Sequence, residues 1–218
     1  MSGGSYSGTY TYVGLSSAFA TVTFTASAVV DATGNAVHGG AANAYTLFND
    51  GSIVGAANGI YFEGGAAVTN GSTSVTDALI KGGEGIRIAG AAGAVANFAT
   101  IQATIYAGVD LLQGGTVING AAGSTKALIE GAQSGISIGG SAGTVENFGT
   151  ILGTVDDGVY LSAGGAVENE AGAYISGFTG IQISKGAGSV YNAGYVVALG
   201  ATGSAIAVAG SNSTVENS

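Results

Sequence analysis

Apolar residues in this chain alternate with small or polar ones in runs of only four or five residues, and the runs repeat. One unit reads Val145-Glu146-Asn147, then Ile151-Leu152-Gly153, then Gly158-Val159-Tyr160-Leu161, then Gly164-Gly165, before Val167-Glu168-Asn169 opens the next. Alternation at period two is the pattern of a strand with one buried face. No stretch sustains a 3.6-residue period, and glycine recurs too often for helix. A fixed repeat of this length marks stacked supersecondary units. Strands this short, joined by a few small residues, cannot build long hairpins. They can form the sides of a coil whose next turn stacks on it in parallel. The pattern therefore predicts an all-β fold, a right-handed parallel β-helix (β-solenoid) of seven to eight coils of 21–28 residues. At about 4.8 Å per coil this is a rod of roughly 35 Å.

The predicted inward residues fall into files. Ile53, Ile80, Ile101, Ile129, Ile151 and Ile175 make one, and Val68, Val95, Val117, Val145, Val167 and Val190 another. The Gly-Ile-x-Ile strands contribute two more, from Ile60 and Phe62 to Ile181 and Ile183. A file of asparagines runs beside them at Asn49, Asn70, Asn97, Asn119, Asn147, Asn169, Asn192 and Asn217. Two structural readings of this file stand open. It is either an internal amide ladder, as in stacked amide arrays, or a set of corner residues in the left-handed conformation that Asn tolerates.

Residues 1–45 fit the repeat poorly and carry Tyr6, Tyr10, Tyr12, Phe19 and Phe24. They read as an N-terminal β cap that covers an exposed sheet edge, with the repeats occupying 46–218. The repeat is unfinished at Val215-Glu216-Asn217-Ser218. This suggests either a longer protein or end-to-end stacking.

Composition narrows the partners. Thirteen acidic residues face four basic ones, a formal charge of −9. A phosphate backbone needs a Lys/Arg footprint, so nucleic acid is not an expected partner. No apolar run approaches membrane-spanning length, so no membrane insertion is expected. The chain has no cysteine, hence neither disulfides nor thiolate metal sites. No cleavable signal peptide is visible at Met1-Ser2-Gly3-Gly4-Ser5.

Coils such as Gly139-Gly140-Ser141-Ala142-Gly143-Thr144-Val145-Glu146-Asn147-Phe148-Gly149-Thr150-Ile151 carry a resemblance. They are similar to the β-helical passenger regions of bacterial autotransporters and related large surface adhesins, over roughly residues 46–217. The resemblance implies an extracellular or outer-surface location on a bacterium and a role in adhesion, aggregation or biofilm. The chain departs from the autotransporter pattern in having neither a signal sequence nor a translocator barrel. The calcium-binding Gly-Gly-x-Gly-x-Asp nonapeptide of one-step export substrates is also not found.

Candidate chemistry sits at outward positions. The centres of the Gly-Ile-x-Ile strands, Tyr61, Arg87, Asp110, Ser137, Tyr160 and Gln182, would form a polar and aromatic stripe. Tyr61, Arg87, Asp110, Tyr160 and Gln182 are its candidate binding residues. Tyrosine stripes hold sugar rings, and the plain alternative is a solvated face. Arg87, between Tyr61 and Asp110, has a cation–π contact or an ion pair within reach. Glu146 and Glu168 should be neighbours one coil apart, where like charges repel and calcium would suit the oxygens. No other cofactor is expected. Lone His38 reads as a turn or surface histidine, and Asp156-Asp157 as turn-formers. Arg87 is the only arginine, and no nucleophile–base constellation emerges, so the chain reads as not an enzyme.

The expected function is that of a structural or adhesive surface or secreted protein. It would associate with itself or with a host or matrix surface, glycans included. A self-assembling filament subunit is the first alternative and a β-helix polysaccharide-active enzyme the second.

Overall fold

The computed structural model describes residues 4–16 and 21–218. All its regular structure is β, and every strand-to-strand ladder is parallel. The strands stack as a β-solenoid of three faces. One turn of the coil consists of Gly143–Asn147, Thr150–Gly153 and Val159–Leu161. Each pairs with its equivalent in the next turn, Gly165–Asn169, Tyr174–Gly177 and Ile181–Ile183. The Gly-Ile-x-Ile face is a nine-stranded sheet, so the solenoid has about nine turns rather than seven to eight. At about 4.8 Å per turn the rod is close to 40 Å long.

The extra turns come from the N-terminal segment. Gly4–Tyr10 and Thr21–Ala32 lie in the same ladders as the later coils. Thr21–Ala32 runs along two faces: Thr21 to Phe24 pair with Thr46 to Asn49, and Val29 to Ala32 pair with Ser52 to Gly55. Val13–Leu15 and Val37–Gly39 begin the third face. What differs here is the filling. Tyr6 stacks on Phe24 and Tyr45 on Phe62, with ring centroids 5.0 and 5.1 Å apart. The buried Tyr45 hydroxyl donates to the Leu15 carbonyl. Tyr6 and Phe24 thus head the file that asparagine holds further on, and Tyr45 the file that Ala66 and Gly93 hold, which hides the repeat in the first turns. Phe19 lies outside the described residues.

The inward files are dry. Ile53, Ile80, Ile101, Ile129, Ile151 and Ile175 are all fully buried, as are the paired residues of the Gly-Ile-x-Ile strands. Each such side chain contributes roughly 1.5–3 kcal/mol by leaving water. Every one packs on its counterparts in the turns above and below, so stability accumulates between neighbours. The glycine that ends each Ile-x-Gly strand has a steric reason. A Cβ on Gly153 would lie 2.1 Å from the Asp157 carbonyl oxygen, because the backbone doubles back at this corner.

The asparagine file is a buried amide ladder. Asn49 donates from Nδ2 to Asn70 Oδ1 at 2.8 Å, and Asn70 does the same to Asn97 at 2.9 Å. The relay continues through Asn119, Asn147, Asn169 and Asn192 to Asn217. Each amide from Asn49 to Asn192 also reaches a backbone carbonyl at the corner; Asn119 Nδ2 donates to Thr150 O at 3.0 Å. Among the described residues the one non-glycine with positive φ is Asn212, outside the file. The left-handed corner reading is therefore replaced by the ladder. Among the described residues no helix is long and apolar enough to cross a membrane.

Because the ladder satisfies polar groups in a dry interior, removing an inner rung strands its neighbours. Asn119→Ala is expected to cost about 1–3 kcal/mol, the penalty of unpaired buried polar groups. Asn217→Ala, at the exposed end, should cost clearly less. Urea denaturation midpoints check this; equal losses at the two positions would contradict it.

Candidate functional site

The Gly-Ile-x-Ile face points two side chains inward and one outward on each turn. In-register pairing sets the outward residues side by side. His38 pairs with Tyr61, Tyr61 with Arg87, Arg87 with Asp110, and Asp110 with Ser137. Ser137 then pairs with Tyr160, and Tyr160 with Gln182. The predicted stripe residues Tyr61, Arg87, Asp110, Tyr160 and Gln182 thus occupy one continuous file. His38 joins it at the N-terminal end, in a strand rather than a turn. Its ring centroid lies 5.4 Å from that of Tyr61, and its Nε2 lies 3.2 Å from Glu63 Oε1.

The centre of the stripe holds the strongest electrostatics. Arg87 turns to carboxylates: its guanidinium lies 3.1 Å from Glu84 Oε2 and 3.3 Å from Asp110 Oδ2. Glu84 is only 4% exposed and Asp110 8%. Burial, reinforced by the Asp110 charge, pushes the Glu84 carboxyl up to about 7 against the opposing pull of Arg87. Burial also raises Asp110, while Arg87 and hydrogen bonds from Glu84 and Ser137 pull it back down. Glu84 and Asp110 therefore titrate as a pair beside Arg87, both carboxyls raised by burial. The group is a carboxyl–carboxylate pair clamped by one guanidinium, with the Tyr61 and Ser137 positions on either side.

Sequence reasoning missed Glu84. It precedes the Gly-Ile-x-Ile motif and pairs with Asn58, whose own amide donates to Asn35 Oδ1 at 2.7 Å. Backbone bonds from the following residue continue this column through Ala107, Ser134, Asp157 and Thr179. The signal was a polar column beside the motif, visible only when the coils are aligned. Asp157, in that column, is raised by burial and by the charge of Asp156.

A second acidic group lies on the Val-x-Asn face. Glu146 and Glu168 pair directly, as their spacing predicts. The structure adds Glu170, which opens the turn after Asn169. The three offer carboxylate oxygens within 4.8 Å of one another. This is the set whose chemistry, hard oxygens in close array, suits calcium.

Two measurable consequences follow from these charges. Between pH 4.5 and about 7 the folded chain holds the Glu84 proton while the unfolded chain has released it. Stability must therefore fall as pH rises across that window and level off above it. Asp110 and Asp157, also raised, act with the same sign. Glu84→Gln should flatten the decline and melt above the wild type at pH 8; a melting temperature that rises from pH 5 to 8 would contradict this. In the second group, Glu168→Gln removes a like-charge pair and should stabilise by roughly 0.2–1 kcal/mol. That gain should shrink in high salt, as thermal melts at two ionic strengths would show.

Comparison with known proteins adds no assignment: no protein-family model matches the chain, and no curated protein or solved structure is significantly similar to it. The chemistry of the stripe therefore rests on its own geometry.

Proposed function

We propose that this chain is a structural and adhesive module of a bacterial surface or secreted protein. It acts as a stiff rod that offers a repetitive outer face to glycans, to a matrix or to other copies of itself. The observation that carries this reading is the contrast between the two sides of one sheet. On the Gly-Ile-x-Ile face the inward positions are a near-uniform set of fully buried aliphatics. The outward positions in the same strands vary from turn to turn through His38, Tyr61, Arg87, Asp110, Ser137, Tyr160 and Gln182. A solenoid with such a division holds weak binding groups at a fixed spacing of about 4.8 Å. Many weak contacts then add through effective concentration. Placement on the outer surface of a bacterium is supported by the likeness of the Gly/Ala/Asn/Val-rich coils to surface adhesins.

The test is adhesion of the purified rod to an immobilised glycan panel and to bacterial cells, with Tyr61→Ala/Tyr160→Ala as the paired variant. Both rings are part-exposed, so the variant should melt near the wild type while binding at least about tenfold more weakly, as expected when stacking groups of about 1–3 kcal/mol each are lost. Undiminished adhesion by a folded double variant would sink the stripe as the binding face.

A further inference from the structure

The long repeat units hold an unassigned groove. Two of the intervals along the asparagine file are longer than their neighbours, 27 residues after Asn70 and 28 after Asn119. The additional residues form loops at 71–78 and 120–127. The loops are duplicates. Asn70-Gly71 and Asn119-Gly120 open them, and Ala78-Leu79-Ile80 and Ala127-Leu128-Ile129 close them. Gly71 and Gly120 both turn with positive φ, at 70° and 87°, a conformation that glycine adopts without strain. Each loop is then tied by a reciprocal backbone pair at the same place. Ser72 and Val75 exchange bonds of 2.9 and 3.1 Å, and Ala121 and Ser124 exchange bonds of 3.2 and 2.8 Å.

The turn between the loops carries no insertion. It threads between their bases, with Phe98 N bonded to Asn70 O and Gly120 N to Asn97 O. The two loops therefore stand about 9.6 Å apart, two strand spacings, with one spacing open between them. The space is a groove of about 440 Å³ lined by Thr73, Ser74, Thr76, Ser124, Thr125 and Lys126, with Ala122 and Gly123. This volume is in the range of small-molecule sites. Insertions that recur on one side of a solenoid are commonly its binding face.

We propose that this groove binds an acidic saccharide. Five hydroxyls that both donate and accept suit a polyol. Lys126 is the one charged residue among those lining the groove, in a chain of net charge −9. An ammonium in a ring of hydroxyls selects a ligand that carries an oxyanion, through a charge-assisted hydrogen bond. Asp77 takes the place in the first loop that Lys126 takes in the second, and it does not line the groove. This site is separate from the Tyr61–Gln182 stripe, and its binding does not depend on the stripe's.

Calorimetric titration with a trisaccharide of galacturonic acid, its methyl ester and inorganic sulfate tests the proposal at 150 mM salt. The wild type should bind the acidic trisaccharide, and Lys126→Gln should weaken it about tenfold or more. Lys126→Arg should retain most of the affinity, and Lys185→Gln, an exposed lysine away from the groove, all of it. The substituted lysines are exposed, so melting temperatures should stay near the wild type. Absence of binding at millimolar trisaccharide overturns the proposal. So does equal affinity for the methyl ester, equal affinity for sulfate, or an unaffected Lys126→Gln. Loss of binding in Lys185→Gln would mean that overall charge, not the groove, attracts the ligand and would likewise overturn it.

Discussion

A strand that leaves its sheet at a corner still carries polar backbone, and inside a solenoid that corner is dry. An unpaired buried carbonyl or amide costs enough to decide whether the coil closes there. Here the asparagine ladder meets that constraint. Each side chain from Asn70 to Asn169 accepts from one neighbour, donates to the next, and holds a backbone carbonyl of the following turn, as Asn97 does with Leu128 O at 3.0 Å. The ladder also locks register. A slip of one residue would put every Ile and Val of the files on the outside and would separate every amide from its partner.

With the interior committed in this way, chemical variety is confined to the outside. The Gly-Ile-x-Ile face shows the result. Alternate residues in one strand are an invariant core and a changing stripe. The pair Glu84–Asp110 sits at the boundary between the two, buried enough to hold a proton near neutrality and close enough to Arg87 to remain hydrogen-bonded. The insertion loops obey the same rule. They bulge from a corner whose ladder passes beneath them uninterrupted, from Asn70 through Asn97 to Asn119. Two additions to the coil thus cost the frame nothing in register.

Much of the frame was legible from the residues alone. Ile129 and Val117 mark core positions because their neighbours in the next turn are the same residue type at the same place in the repeat. The outward stripe was legible for the same reason. The first two turns were not, since Phe24 stands where later turns carry asparagine and Tyr45 where they carry alanine or glycine. Glu84 escaped notice because its column, from Asn58 through Ala107 to Ser134, changes residue type at every turn. His38 escaped because its strand, Val37–Gly39, ends on a glycine where later ones end on Ile or Leu.

The sequence by itself determined the solenoid, its inward files and the neighbours along each face. These follow from a one-dimensional repeat in which every turn contacts only the next. Only the tertiary structure decided how the amides of the ladder bond, which carboxyls burial pushes up, and that loops 49 residues apart in sequence (Gly71 to Gly120) face one another across a groove. The physical reason is that desolvation and hydrogen-bond geometry depend on what surrounds a group in three dimensions. The identity of a residue and its place in the repeat do not specify those surroundings.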